Sequence, residues 1–428
     1  MVIKHLKIEN IITILLPWFL VVFVPSNSYG EKDQVLSWQY CITETQQNNP
    51  ELVSAREKLN QAKADKSITQ SAILPQLSST LNTKTSKTQG QNSTESYNYG
   101  VSGQQLLFDG FKTSNDLASA REKIASATYN FEVVSSNVRY NLWSAFINLL
   151  GAQELLNVTK DIADRRQQNW ELVELRYKVG KEHKGSLLTA KANFSQAQYE
   201  LEEAKQNVEI YQRRLSKLIG REKYTPFVVN GGLDIQSVNQ EKPEFEKIVE
   251  TTPLLKEVVA QKEAARFDLK SAKSGLFPQV YATAGVTKSG AEWPPDSKGW
   301  TAGLSVSLPL FEGGKQQAQI SKARATLNQA QADERNERDD VILTLAETWI
   351  DWRNNVAKVS VREEFLEASQ VRAMIAEGQY STGTITFDAW TIIEDDLVSN
   401  QKALLQAKTT ALISEAAWLQ AKGVTLDE

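Results

Sequence analysis

Cysteine and histidine are almost missing from this chain, which carries one of the first and two of the second in 428 residues. With Cys41 alone, an intramolecular disulfide is impossible. Trp38-Gln39-Tyr40 precede it where a lipid anchor needs a small residue and an apolar stretch, so it reads as a buried helix cysteine. His5 falls in the leader described below, and His183 is left with no second histidine or cysteine pair at ligand spacing. A zinc site or a histidine-based catalytic centre therefore has no material to work with, and His183 reads as a surface residue. There is no GxxxxGK[ST] loop to cradle a nucleotide, so no cofactor and no enzyme activity are expected, and a secreted hydrolase has no support. Positive charge is also short: the formal net charge is -4, which argues against a nucleic-acid partner. Long apolar runs are absent beyond Gly30, so no helix is available to cross a membrane. Any membrane must be met with strands.

What is present begins with a leader. Lys4 and Lys7 precede the apolar run Ile11 to Val24, and Ser28 and Gly30 are small residues at the spacing of a signal-peptidase site. Residues 1–30 read as a signal peptide, with Glu31 the first mature residue; their loss removes two lysines and one glutamate and moves the charge from -4 to -5. Hydrophobic content of 41% and a mean hydropathy of -0.39 suit long, narrow helices better than a thick core.

Landmarks then recur at one constant interval. Pro50 pairs with Pro253, Pro75-Gln76 with Pro278-Gln279, Phe108-Asp109-Gly110 with Phe311-Glu312-Gly313, Gly180 with Gly383 and Gly220 with Gly423, each 203 residues apart (253 − 50 for the first). The chain reads as two copies of one unit. The first covers 31–220, with a helix over 36–73, a β-hairpin over 76–107, a long helix over 111–177 and a helix over 186–219. A linker spans 221–245. The second unit covers 246–428, with a helix over 245–276, a hairpin over 279–310, a long helix over 314–380 and a helix over 385–422.

Val138, Leu142, Ala145, Leu149, Ala152 and Leu156 step by alternating fours and threes, and Val341, Leu345, Trp349, Trp352, Val356 and Val359 also step by fours and threes, the spacing of a coiled-coil seam. No proline interrupts 111–177 or 314–380, so each predicts one helix of roughly 100 Å at 1.5 Å per residue. The shorter helices, stacked end to end, match that length. Trp143, Trp170, Trp349, Trp352, Trp390 and Trp418 sit in these patterns and read as packing residues.

In 300–310, Trp300, Ala302, Leu304, Val306, Leu308 and Leu310 alternate with smaller or polar residues, and Val280, Ala282, Ala284 and Val286 repeat the alternation one strand earlier. Strands of about 10 residues with one apolar face match a transmembrane β-barrel, with Tyr97 and Trp300 at the strand ends as interface aromatics. Four strands cannot close in lipid without leaving edge groups unpaired, so the barrel must be shared between chains. Two copies give eight strands, nearly filled by side chains, and three give twelve and an aqueous lumen.

Across essentially the whole mature chain, the sequence resembles the TolC-type outer-membrane efflux family. The resemblance rests on NNPEL at Asn48 to Leu52, LPQL at Leu74, FPQV at Phe277, the FDG and FEG turns, and the RYKVG and QYSTG turns at Arg176 and Gln379. It implies a homotrimer with a twelve-stranded barrel in outer-membrane lipid, a periplasmic helical tunnel, and an equatorial belt from 221–245 and the C-terminal tail. It also implies partnership with a periplasmic adaptor and an inner-membrane transporter of the proton-driven (RND) or ATP-driven (ABC) kind, as in tripartite efflux or type I secretion. The adaptor would meet the helix tips at Val179, Gly180 and Lys181 and at Thr382, Gly383 and Thr384.

The family's gate pattern is matched by Tyr380, but its basic and acidic positions hold Ile385, Ala389 and Ile392 here. Asp388 lies nearby and Asp396 continues the stripe of Ala389 and Ile392 at helical spacing; both become the constriction candidates, since carboxylates ringing a lumen favour cations. A periplasmic coiled-coil adaptor or envelope tether is the competing reading, and the period-2 strands speak against it.

Overall fold

The computed structural model describes residues 34–90, 92–235 and 241–427. The expected signal peptide and the residue Glu31 lie outside them. The short strand β1 (Gln34–Leu36) leads into helices α1 (Trp38–Asn48) and α2 (Pro50–Ser71), then strands β2 (Gln76–Ser86) and β3 (Thr94–Phe108). Helix α3 (Lys112–Lys178) and helix α4 (Lys184–Leu218) follow, then strand β4 (Phe227–Val229). The second half runs through α5 (Phe245–Ile248), α6 (Pro253–Ser274), β5 (Gln279–Gly290), β6 (Ser297–Ser307), α7 (Lys315–Thr382) and α8 (Phe387–Ala421). The first residues of α2, α3 and α4 each precede those of α6, α7 and α8 by 203 positions (253 − 50, 315 − 112, 387 − 184).

Two helices differ from their expected extent. The single helix over 36–73 breaks at Asn49, whose backbone turns extended (φ -67°, ψ 123°) because the following Pro50 disfavours the helical conformation in its predecessor. Asn49 also caps α2, its side chain accepting from the Glu51 and Leu52 amides at 2.9 and 3.2 Å. Before Pro253 the same break appears, and 245–276 is a short helical turn and a 3-10 turn leading to α6.

Helices α3, of 67 residues, and α7, of 68, are continuous as expected and each extends about 100 Å. Shorter helices line them in series: α2 and α6 flank α3 near the strands, while α4 and α8 flank α3 and α7 toward the opposite end. The thickest core surrounds the middle of α3, where Val138, Leu142, Phe146, Leu149 and Leu150 pack against Leu36, Leu215, Phe227 and Val229. Cys41 is fully buried here, and burial pushes its thiol pKa up to about 11, consistent with an unreactive packing residue. Strands β1 and β4 pair in parallel across this waist, Gln34 opposite Phe227.

All four long strands form one antiparallel sheet in the order β2-β3-β5-β6, so the second strand of one hairpin pairs with the first of the other. Strands β2 and β6 are its open edges.

Candidate functional site

The register of the sheet sorts its side chains onto two faces. On one face, successive cross-strand rows read Leu81, Tyr99, Lys288 and Lys298; Ser79, Val101, Val286 and Trp300; then Leu77, Gly103, Ala284 and Ala302. Farther toward the helices the rows continue through Ala282 with Leu304 and Val280 with Val306. The opposite face carries Ser78, Ser102, Gly285 and Thr301, then Gln104, Thr283 and Gly303, and so on in small and polar residues. One face is apolar and solvent-exposed, with Trp300 78% and Leu304 73% accessible, and the other is polar. A sheet buried on neither face and apolar on one is the pattern of a barrel wall between lipid and water.

The aromatic residues are not at one height. Tyr97, in the row of Thr83 and Gly290, lies beside Trp293 of the β5–β6 loop with ring centres 6.0 Å apart. Trp300 sits three residues inside the loop end of β6, level with Val101 and Val286. A row carrying Lys288 and Lys298 separates them.

At the far end of the helices, two turns are built alike. Gly180 (φ 71°) and Gly383 (φ 82°) take the left-handed conformation that any side chain would disfavour. The Lys181 amide then donates to the Arg176 carbonyl and the Thr384 amide to the Gln379 carbonyl, each at 2.8 Å, closing paired Schellman motifs. Val179, Gly180 and Lys181, and Thr382, Gly383 and Thr384, are all exposed at these tips.

Tyr380 is only 1% accessible and packs inside the protomer. Its ring stacks on Trp390 with centroids 4.3 Å apart, and its hydroxyl donates to Glu182 at 2.9 Å. Arg176 lies over the same ring and donates to the Tyr380 and Ser381 carbonyls at 2.8 and 3.1 Å, tying the first hairpin to the end of α7. Burial, then the bond to Glu182, hold the phenol pKa well above its ordinary value. Burial alone would raise the Glu182 carboxyl, but hydrogen bonds from Tyr380, the His183 amide and Ser186 outweigh it and leave the pKa lowered. His183 caps α4, its Nδ1 accepting from the Ser186 amide at 3.2 Å, a role histidine seldom advertises in sequence.

The carboxylates of α8 differ in their surroundings. Asp388, in the first turn, is exposed and makes no hydrogen bond or ion pair among the described residues. Glu394 is buried at 3% accessibility, and burial raises its pKa despite nearby Arg165 and Arg166 and the Asn169 amide. Asp395 accepts from Arg166 at 2.5 Å, and Asp396 from Arg372 at 3.3 Å. Asp388 thus has no such partner among the described residues, whereas Asp396 is paired.

The family model described as outer membrane efflux protein matches residues 41–221 and 246–424 of this chain. The chain belongs to that family. Among its relatives, the outer membrane efflux protein BepC of Brucella suis is 24% identical over 92% of this chain and 89% of its own length. Outer membrane protein TolC of Escherichia coli is 20% identical over 97% and 87%. The fold matches a crystal structure of CusC with a TM-score of 0.82 at 18% identity, covering 92% of this chain and 95% of that one. The open-state MtrE outer membrane channel of Neisseria gonorrhoeae aligns with a TM-score of 0.79, also at 18% identity, over 90% of this chain and 88% of its own. As a member of the outer membrane efflux protein family, the chain is an outer-membrane channel protein reaching into the periplasm, and the tether reading gives way to it.

Proposed function

We propose that three copies of this efflux protein share one barrel and form the exit duct of a tripartite efflux or type I secretion machine. In this reading β6 of one copy pairs with β2 of the next, so three sheets of four strands close into twelve around an aqueous lumen. The observation that carries it is the pair of unpaired edges on a sheet whose faces are sorted into apolar and polar. In lipid, each orphaned edge group costs several kcal/mol, and closure with other copies removes that cost. Transport energy then comes from an inner-membrane RND or ABC transporter, reached through a periplasmic adaptor, and the duct itself is passive.

The adaptor docks at the two tips, on Val179, Gly180 and Lys181 and on Thr382, Gly383 and Thr384. Support comes from their exposure on turns closed by Schellman hydrogen bonds. Asp388, carried by each copy toward the lumen, is the constriction carboxylate. Asp396 is drawn into a pair with Arg372 and plays the lesser part. Tyr380 acts as a lock within the protomer, holding the two helical hairpins together through Glu182 and Arg176. In a bilayer, Asp388→Asn should lower cation preference and relieve one-sided block by a trivalent cation; unchanged block would remove Asp388 from the constriction.

A further inference from the structure

The row beyond Trp300 on the apolar face carries two lysines. Lys288 and Lys298 are direct cross-strand partners on β5 and β6, which puts their Cβ atoms about 5 Å apart. Like charges in that position repel, and an anion between or above them would relieve the repulsion.

Neither ammonium has an ion pair among the described residues, and Lys288 lies 5.9 Å from the centre of the Tyr99 ring instead. Glu95 is taken by the Tyr97 hydroxyl at 2.9 Å. Glu292 and Asp296, on the adjoining loop, form no ion pair with either lysine. Closing the barrel does not help: β2, the strand a neighbouring copy would lay beside Lys298, contains no carboxylate, and its one charge is Lys84. At every register of the seam, the lysine pair stays uncompensated.

Its depth says what would compensate it. Lys298 is two residues outward of Trp300, about 7 Å along the strand, on the lipid-facing side and at the loop end away from the periplasmic helices. Interface aromatics mark the boundary of the hydrocarbon, so the ammoniums snorkel to headgroup level in the outer leaflet. Tyr97, Tyr99 and Trp293 form an aromatic wall beside them, with Trp293 within 6.0 Å of both tyrosine rings.

We propose that Lys288 and Lys298 together bind the phosphate of a phosphorylated outer-leaflet lipid headgroup, against the wall of Tyr97, Tyr99 and Trp293. This rests on the shared-barrel reading. A phosphate offers three strong acceptor oxygens, enough to bridge two ammoniums at this spacing.

The test is native mass spectrometry of the detergent-purified assembly mixed with the bis-phosphorylated acyl-disaccharide of the outer leaflet or its dephosphorylated form. Lys288→Gln with Lys298→Gln should lower retention of the phosphorylated lipid by roughly ten- to thirty-fold, at about 1 kcal/mol for each lysine. Retention of the dephosphorylated lipid should already be weak and should not change. Lys84→Gln removes the same charge from the polar face, three rows nearer the loop, and should have no effect. Equal retention by wild type and double variant, equal binding of both lipids, or an equal loss in Lys84→Gln would overturn the proposal. Full displacement by millimolar inorganic phosphate would instead assign the site to a free anion. Conductance of the same preparations reads the shared barrel separately: variants that conduct normally but lose the lipid, or keep it, report on the lysines alone.

Discussion

Tyr380 shows how a single side chain can serve a long rod. Its hydroxyl reaches Glu182, 198 residues earlier in the chain, and its carbonyl is held by Arg176. A hydrogen bond to a charged partner contributes about 1.5–3 kcal/mol, and Tyr380→Phe removes it while keeping the stack on Trp390. The expected result is a larger resting conductance with the same subunit count; an unchanged resting conductance would deny Tyr380 a locking role. Glu394 offers a pH test. Its folded-state pKa is raised, chiefly by burial, so the folded protein holds this proton more tightly than the unfolded chain. Its stabilising contribution is therefore present below the ordinary carboxyl range and is lost as pH rises through the raised value. Glu394→Gln should gain in Tm over wild type as pH is taken from 4 to 8, whereas a gain that stays constant with pH would contradict the assignment. Neither residue's partners could be read locally. Sequence pattern marks Tyr380 and the α8 carboxylates, but Glu182, Arg166 and Arg372 meet them only because distant helices lie side by side.

At the level of elements, the sheet and the turns make separate demands. Ala284 is on the apolar face in mid-strand and Thr283 on the polar one. Ala284→Lys should cost roughly 2–4 kcal/mol of barrel stability, while Thr283→Lys should leave stability nearly unchanged and shift ion selectivity. Equal losses, read by heat resistance of the assembly on gels, would mean that the faces are not sorted between lipid and water. At the tips, Gly383→Val must force a β-branched residue to φ near 82°, at about 1–2 kcal/mol. That strain is local, so assemblies should persist while efflux in cells is lost; normal drug tolerance would sink docking at that turn. Long helices and alternating strands were legible because periods of 3.5 and 2 leave a trace over many residues. The waist was not: β1 and β4 are three residues each and pair across almost the length of one half, too short for any period to register. The break at Asn49 could have been seen in the Asn-Pro step, where a cap and a helix-starting proline stand together.

For the whole molecule, one architecture follows from thin resources. The core is spread along helices of about 100 Å. Among the described residues, five apolar clusters run along these helices. Exposed apolar residues on α7, such as Leu343, Ile350, Phe365 and Ile375, and the open edges β2 and β6 leave a single copy unfinished. In the proposed assembly, further copies would complete both the sheet and the helical wall. Single-channel recording of the detergent-purified protein in a planar bilayer, with subunits counted by cross-linking on the same sample, tests this most directly. A shared twelve-stranded barrel requires three-subunit assemblies that insert and conduct steadily. A protein that remains a soluble single chain without detergent and never conducts would contradict it.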